Sequence, residues 1–195
     1  MPRTTDPTAV PSTPVAAAAA SFATEACPPF LLRHSYRTYL FGRALVAEDL
    51  DREAAFVASI LHDIGLTDEH LGDTSFELVG ADVAARFLEG RGWDGDRIRL
   101  VEQAIIRHVE LATVDVPELR VVQAGAALDV AGLALDDVPA EDVRAILRAH
   151  PRETMAQEIR EAFLAEVGRQ PEGAFAQLEA TVSLSDVMLR NPLDA

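Results

Sequence analysis

His62 and Asp63 stand side by side at the end of Ala54 to Leu61, a run that is apolar except for Ser59. Two ionisable groups at the end of a core segment are costly unless they are paired, hydrogen-bonded or bound to a metal. Neutral imidazole and carboxylate together suit zinc, manganese, iron, cobalt or nickel, whereas magnesium prefers oxygen alone. Adjacent residues of a helix point about 100° apart, so the pair can converge on one ion only if other helices supply the remaining ligands. His34 and Asp129, each on an otherwise apolar helical stretch, are candidates, and His108 sits on the apolar side of another. Singly, each has an ordinary reading. A buried histidine is more often a satisfied core residue, and an aspartate near a helix end a cap or a surface charge. Their order and spacing, taken together, point to a metal site.

The elements that must position these residues read as helices, with almost no alternating strand pattern. A first helix, about Phe30 to Ala47, carries Leu31, His34, Thr38, Phe41 and Leu45 on one side. A second, about Arg52 to Ile64, is apolar nearly all round and belongs in the middle of a bundle. After a polar connection from Thr67 to Thr74, a third begins near Ser75 and ends at Gly90 or Gly92. A fourth, about Gly95 to Leu111, sets His108 with Ile98, Val101, Ala104 and Ile105. A fifth runs over about Pro117 to Ala131, where Ala124, Gly125, Ala126 and Ala127 let a neighbouring backbone approach closely. Three more follow, about Ala140–Ala149, Arg152–Gly168 and Pro171–Arg190. Residues 1–22, rich in Pro and Ala and without apolar periodicity, read as a flexible tail. Residues 23–195 read as one domain, an all-α bundle of seven or eight helices, with no internal repeat and no linker.

The formal charge is −15, from 17 basic and 32 acidic side chains. That field repels nucleic acid and anionic membranes, so neither is expected as a partner; a small molecule is. Cys27 is the one cysteine, so an intrachain disulfide and a cysteine-based zinc cluster are both ruled out. No stretch reaches the roughly 18–20 uninterrupted apolar residues that span a bilayer. The run Ala16 to Ala20 imitates a weak signal peptide, but Pro2, Pro7, Pro11, Pro14 and Asp6 break the stretch before it. The expected compartment is therefore the cytoplasm. The apolar C-terminal helices either complete the core or offer a face for a homo-oligomer.

His34, the doublet in ILHDIGL, and Asp129 in GAALDVAG resemble the H…HD…D signature of the HD-domain metal-dependent hydrolases. The resemblance covers about residues 30 to 190 and implies an HD-type helical bundle. It implies too that His34, His62, Asp63 and Asp129 hold one divalent transition metal, zinc foremost, with iron or manganese as alternatives. The strings PPFLLRHSYRTYLFGRAL, TSFELVGADVAARFLEGRGW, AIIRHVEL and HPRE are similar to the cyanamide-hydratase-like branch. Members of that branch add water to the carbon–nitrogen triple bond of cyanamide, giving urea. Many HD phosphohydrolases place a lysine three residues after the Asp of the doublet, to contact phosphate; here that residue is Leu66. The departure turns the reading toward a small neutral substrate, although Arg33, Arg37 and Arg107 offer charge elsewhere.

The implied chemistry is a metal-bound hydroxide attacking a small, cyanamide- or nitrile-like substrate, because a bound cation lowers the pKa of its water toward neutrality. His108 is the first candidate for the acid–base group, since its spacing from Ala104 and Ile105 turns it inward and imidazole titrates near neutral pH. Asp63, a ligand with a second oxygen free, is the other. Phe76, Glu77 and Arg37 are the candidate substrate contacts. Dinuclear HD enzymes add two histidines between the doublet and the last Asp, the interval that holds His70 and His108, so a second metal on that pair stays open. The alternatives are a nucleotide phosphomonoesterase, a di-iron oxygenase, and a non-catalytic helical module with a structural metal.

Overall fold

In the computed structural model, which describes residues 6–194, α3 (Arg52–Leu61) is buried along its whole length from Ala54 to Leu61. The Asp51 carboxylate starts it by accepting the Ala54 amide at 3.0 Å, a side-chain N-cap. Its α-helical turns end at Leu61, short of the expected Ile64. Just beyond, Gly65 lies so close to the Phe76 carbonyl that a Cβ there would overlap it. The chain tightens into a 3-10 turn, Ile64–Leu66, and Asp63 takes φ −105° and ψ 10°, outside helical values. That departure lets His62 and Asp63 face one another, with His62 Nε2 3.2 Å from Asp63 Oδ2.

α2 (Pro29–Leu45) and α6 (Pro117–Ala131) pack against α3 and against each other. Their contact is close enough that a Cβ at Gly42 would overlap the Val121 carbonyl, and one at Gly125 the Thr38 carbonyl. Backbone touches backbone there, which brings His34 and Arg37 of α2 against Asp129 of α6. α4 (Phe76–Glu89) packs on α5 (Gly95–Arg107), which in turn leans on α3 and α6.

The expected flexible tail is corrected from Pro14 onward; residues 1–5 lie outside the described residues. α1 (Pro14–Ala26) is a capped helix, with Thr13 Oγ1 accepting the Ala16 amide at 3.1 Å. Alanine is the strongest helix former, and Ala16, Ala19 and Ala23 form a small, fully buried face against α3. The missing apolar bulk that makes the segment read as tail is what lets it pack closely.

The last third holds α7 (Ala140–Ala149), α8 (Met155–Arg169), α9 (Ala174–Val182) and α10 (Leu184–Met188). The single helix expected over 171–190 breaks at Ser183, whose φ of 50° and ψ of 52° are left-handed. Ten α-helices and no strand occur among the described residues. The two beyond the expected eight are α1 and the second half of the divided C-terminal helix. No helix among the described residues is long and apolar enough to cross a membrane.

Candidate metal centre

Three side chains from two neighbouring helix segments meet in the core. His34 is on α2, His62 caps α3, and Asp63 begins the 3-10 turn; none is more than 4 % exposed. His34 Nε2 lies 3.2 Å from His62 Nε2 and 3.4 Å from Asp63 Oδ2. Among the described residues these three form the cluster whose ligand atoms lie close enough together to hold one metal ion.

The other ring nitrogens decide the tautomers. His62 Nδ1 faces the Ser59 carbonyl at 2.8 Å, and a carbonyl only accepts, so Nδ1 carries the proton. His34 Nδ1 faces Asp129 Oδ2 at 2.7 Å and donates to it. Both Nε2 atoms are left to point, with Asp63 Oδ2, at one spot. Three lone-pair groups side by side in a buried site repel unless positive charge sits among them. At His34 burial alone would lower the pKa, yet hydrogen bonds to Asp129 and Asp63 raise it on balance. At Asp63 burial would raise the carboxyl, but His62 and His34 hold it well below the usual carboxylate range. A divalent metal fits this donor set.

Asp129, expected as a fourth ligand, stands behind the His34 ring. Its Oδ1 accepts from Arg37 Nε at 2.7 Å and Arg152 Nη1 at 2.9 Å, and its Oδ2 from Arg37 Nη2 at 3.0 Å as well as from His34. Burial would raise this carboxyl too, but Arg37 and His34 hold it far below its ordinary range. In this arrangement Asp129 orients His34, as carboxylates commonly do for metal-binding histidines.

His108 caps α5 and points the same way as the cluster. Its Nδ1 donates to the Ile105 carbonyl at 2.6 Å, which leaves Nε2 free and 3.7 Å from Asp63 Oδ1. Burial, reinforced by the neighbouring His62, pushes its pKa down to about 4. A neutral imidazole with its lone pair aimed at the site can accept a proton.

Four residues expected at the site lie outside the lining of the cavity in front of the cluster. Arg37 is wholly buried and also donates to the carbonyls of His150 and Pro151 at 3.0 and 3.2 Å. His70 stays away from the cluster, bonded to Thr67 Oγ1 at 3.1 Å with its ring edge on Phe22, so it cannot join His108 on a second metal in this geometry. Phe76 is fully buried and braces the His108 ring at 5.7 Å between centroids, outside the cavity wall. Glu77 accepts from Ser75 Oγ at 2.7 Å and likewise does not line the cavity.

The residues missed from sequence are those that hold Asp129 in place. Arg152 Nε also donates to Asp194 at 2.6 Å, and Asn191 Nδ2 donates to the Asp129 carbonyl at 2.9 Å. The string HPRE signalled Arg152, but nothing local pairs it with a residue on α6. Gln123 Nε2 holds the turn after α5 by donating to the carbonyls of Glu110 and Ala112, both at 2.8 Å.

A cavity of about 470 Å³ opens in front of the cluster, with His34, His62, Asp63 and His108 at its inner end. The arginines that might have supplied charge are engaged elsewhere: Arg33 with Glu153, Arg107 with Glu110. Arg120 lines the cavity and is paired with Glu48.

This helical bundle, with a buried His-Asp doublet facing a histidine from another helix, is the architecture of a metal-dependent HD protein, and the chain belongs to that family: the HD domain model matches residues 31–188. Among curated proteins it is similar to the cyanamide hydratases DDI2 and DDI3 of Saccharomyces cerevisiae, each 32% identical over 132 residues. The match takes in 63% of this chain and spans 59% of the length of each relative.

Proposed function

We propose that this protein is a metal-dependent hydratase that adds water across the carbon–nitrogen triple bond of a nitrile-like molecule, with cyanamide the first to test. The observation that carries the reading is the convergence of His34 Nε2, His62 Nε2 and Asp63 Oδ2 while both Nδ1 protons are committed elsewhere. The two curated relatives, named cyanamide hydratases, support the substrate class.

His34, His62 and Asp63 would hold the cation, with Asp129 fixing the His34 ring. The mixed imidazole and carboxylate set suits zinc, with iron or manganese as alternatives. Bound there, a divalent cation makes an adjacent water acidic enough to yield a nucleophile near neutral pH. His108 Nε2 accepts the proton that water gives up and returns it to the substrate nitrogen. Asp63 Oδ1, 3.7 Å away, steadies the imidazolium between those transfers. The balance is simple: a carbon–oxygen double bond replaces the two carbon–nitrogen π bonds, both hydrogens of water end on the nitrogen, and nothing is oxidised. Against a phosphomonoesterase reading, the arginine that lines the cavity, Arg120, is held by Glu48, and Arg33 and Arg37 are paired outside the lining.

Purified protein should form urea from cyanamide, lose that activity on chelation, and regain it with zinc, iron or manganese. Absence of urea with each of the three metals restored would overturn the reading.

A further inference from the structure

Cyanamide has three non-hydrogen atoms, whereas the cavity before the cluster measures about 470 Å³, within the range of roughly 300–1,000 Å³ that takes drug-sized ligands. The groups of the cluster lie at its inner end, Glu110, Thr113, Arg120 and Gln123 add polar lining further out, and α6 and α9 supply much of the apolar wall. From α6 come Ala124, Ala127 and Ala131, at helical spacings that put them on one face. From α9 come Phe175, Leu178 and Val182, again on one face. At the mouth, exposed apolar side chains, Leu111 at 64%, Leu133 at 60% and Val182 at 42% exposure, stand beside the polar Glu110, Thr113 and Arg120.

α9 has a particular standing. None of its residues is buried, although three of its large apolar side chains are turned toward the cavity. It follows Gly173 and ends at left-handed Ser183, so it is a short segment bounded by turns. Phe175 anchors the helix on Phe76 and Phe163, whereas Leu178 and Val182 gain the burial they lack from whatever fills the volume. The small alanines opposite leave the room. Continuity with the cluster favours a molecule whose reacting end lies at His62 and whose body lies between α6 and α9.

We infer that the site takes a nitrile-type substrate carrying an extended apolar body, an alkyl or aryl group held between the Ala124–Ala127–Ala131 face of α6 and the Phe175–Leu178–Val182 face of α9. The inference rests on the hydratase reading for the reacting group and on the cavity alone for the body. The reaction is the same addition: water oxygen bonds to carbon, its hydrogens pass to nitrogen, and an amide results with no leaving group.

The two parts separate in one experiment on the zinc-loaded full chain. Binding of straight-chain alkyl nitriles, from acetonitrile to heptanenitrile, is measured by calorimetry, and amide formation is followed in parallel. Affinity should rise roughly fourfold per added methylene while the chain stays between the helices. Ala127→Phe, which fills the channel, should flatten that rise after the first members. Val182→Asp, at an exposed position that the core does not need, should weaken long members and spare short ones. A rise without turnover supports the apolar channel and removes the hydratase reading. Turnover of cyanamide with affinities independent of chain length overturns the inference and leaves the hydratase reading standing. A flat series with self-association of the chain also overturns it, by making the Leu111, Leu133 and Val182 rim an interface between copies.

Discussion

His62→Ala is expected to abolish metal retention, and with it the proposed formation of urea, while the chain stays folded. Losing a partner that merely orients a metal ligand typically costs about 10–100-fold in affinity or activity, and His62 offers its own Nε2 to the cluster, so its loss should exceed that range. The substitution also removes the hydrogen bond to the Ser59 carbonyl, which is buried in α3. A modest fall in stability, about 1–3 kcal/mol for an unsatisfied buried group, should accompany it. Metal content by elemental analysis and folding by circular dichroism separate the two effects. A variant that still holds a full complement of metal would remove His62 from the site. Asp129→Asn serves as comparison: an amide can still accept from His34, so metal affinity should weaken only within the 10–100-fold range.

The largest effect on stability is expected at Arg37→Met. Arg37 and Asp129 are both fully buried, and the guanidinium meets both carboxylate oxygens. Removing one partner of a buried pair leaves an uncompensated charge and costs about 3–5 kcal/mol. For a chain of this size that is a fall of roughly 6–20 °C in Tm. Arg152 stays on Asp129 Oδ1, which should keep the loss toward the lower end. The double variant Arg37→Met/Asp129→Asn, in which no buried carboxylate is left unpaired, should lose less than the sum of the single changes. Thermal melts in excess chelator keep metal linkage out of the comparison. Additive losses would mean that the pair is not energetically coupled.

Much of this was legible beforehand because helical periodicity survives in a single sequence. The bounds of α6 and α7 agree with the pattern of apolar residues and with Pro117 and Gly132. The His62-Asp63 doublet was legible too, since a charged pair closing an apolar run is costly wherever the fold puts it. Three features were not. α1 was read as tail because its alanines lack bulk, and only the close approach of α3 shows why small side chains serve there. That His70 cannot share a metal with His108 depends on its ring turning to Thr67 and Phe22, which no local spacing shows. Arg37 reads from sequence as a substrate contact, whereas its partner Asp129 lies 92 residues away in sequence. Pairings of that kind are fixed by packing at Gly42 and Gly125, where α2 and α6 meet.

The most direct test of the metal centre is anomalous diffraction from crystals of zinc-loaded protein. The geometry predicts one ion per chain, in direct contact with His34, His62 and Asp63, with Asp129 behind the His34 ring on Arg37 and Arg152. An ion held away from these three residues, or a second ion drawn to His70, would contradict it.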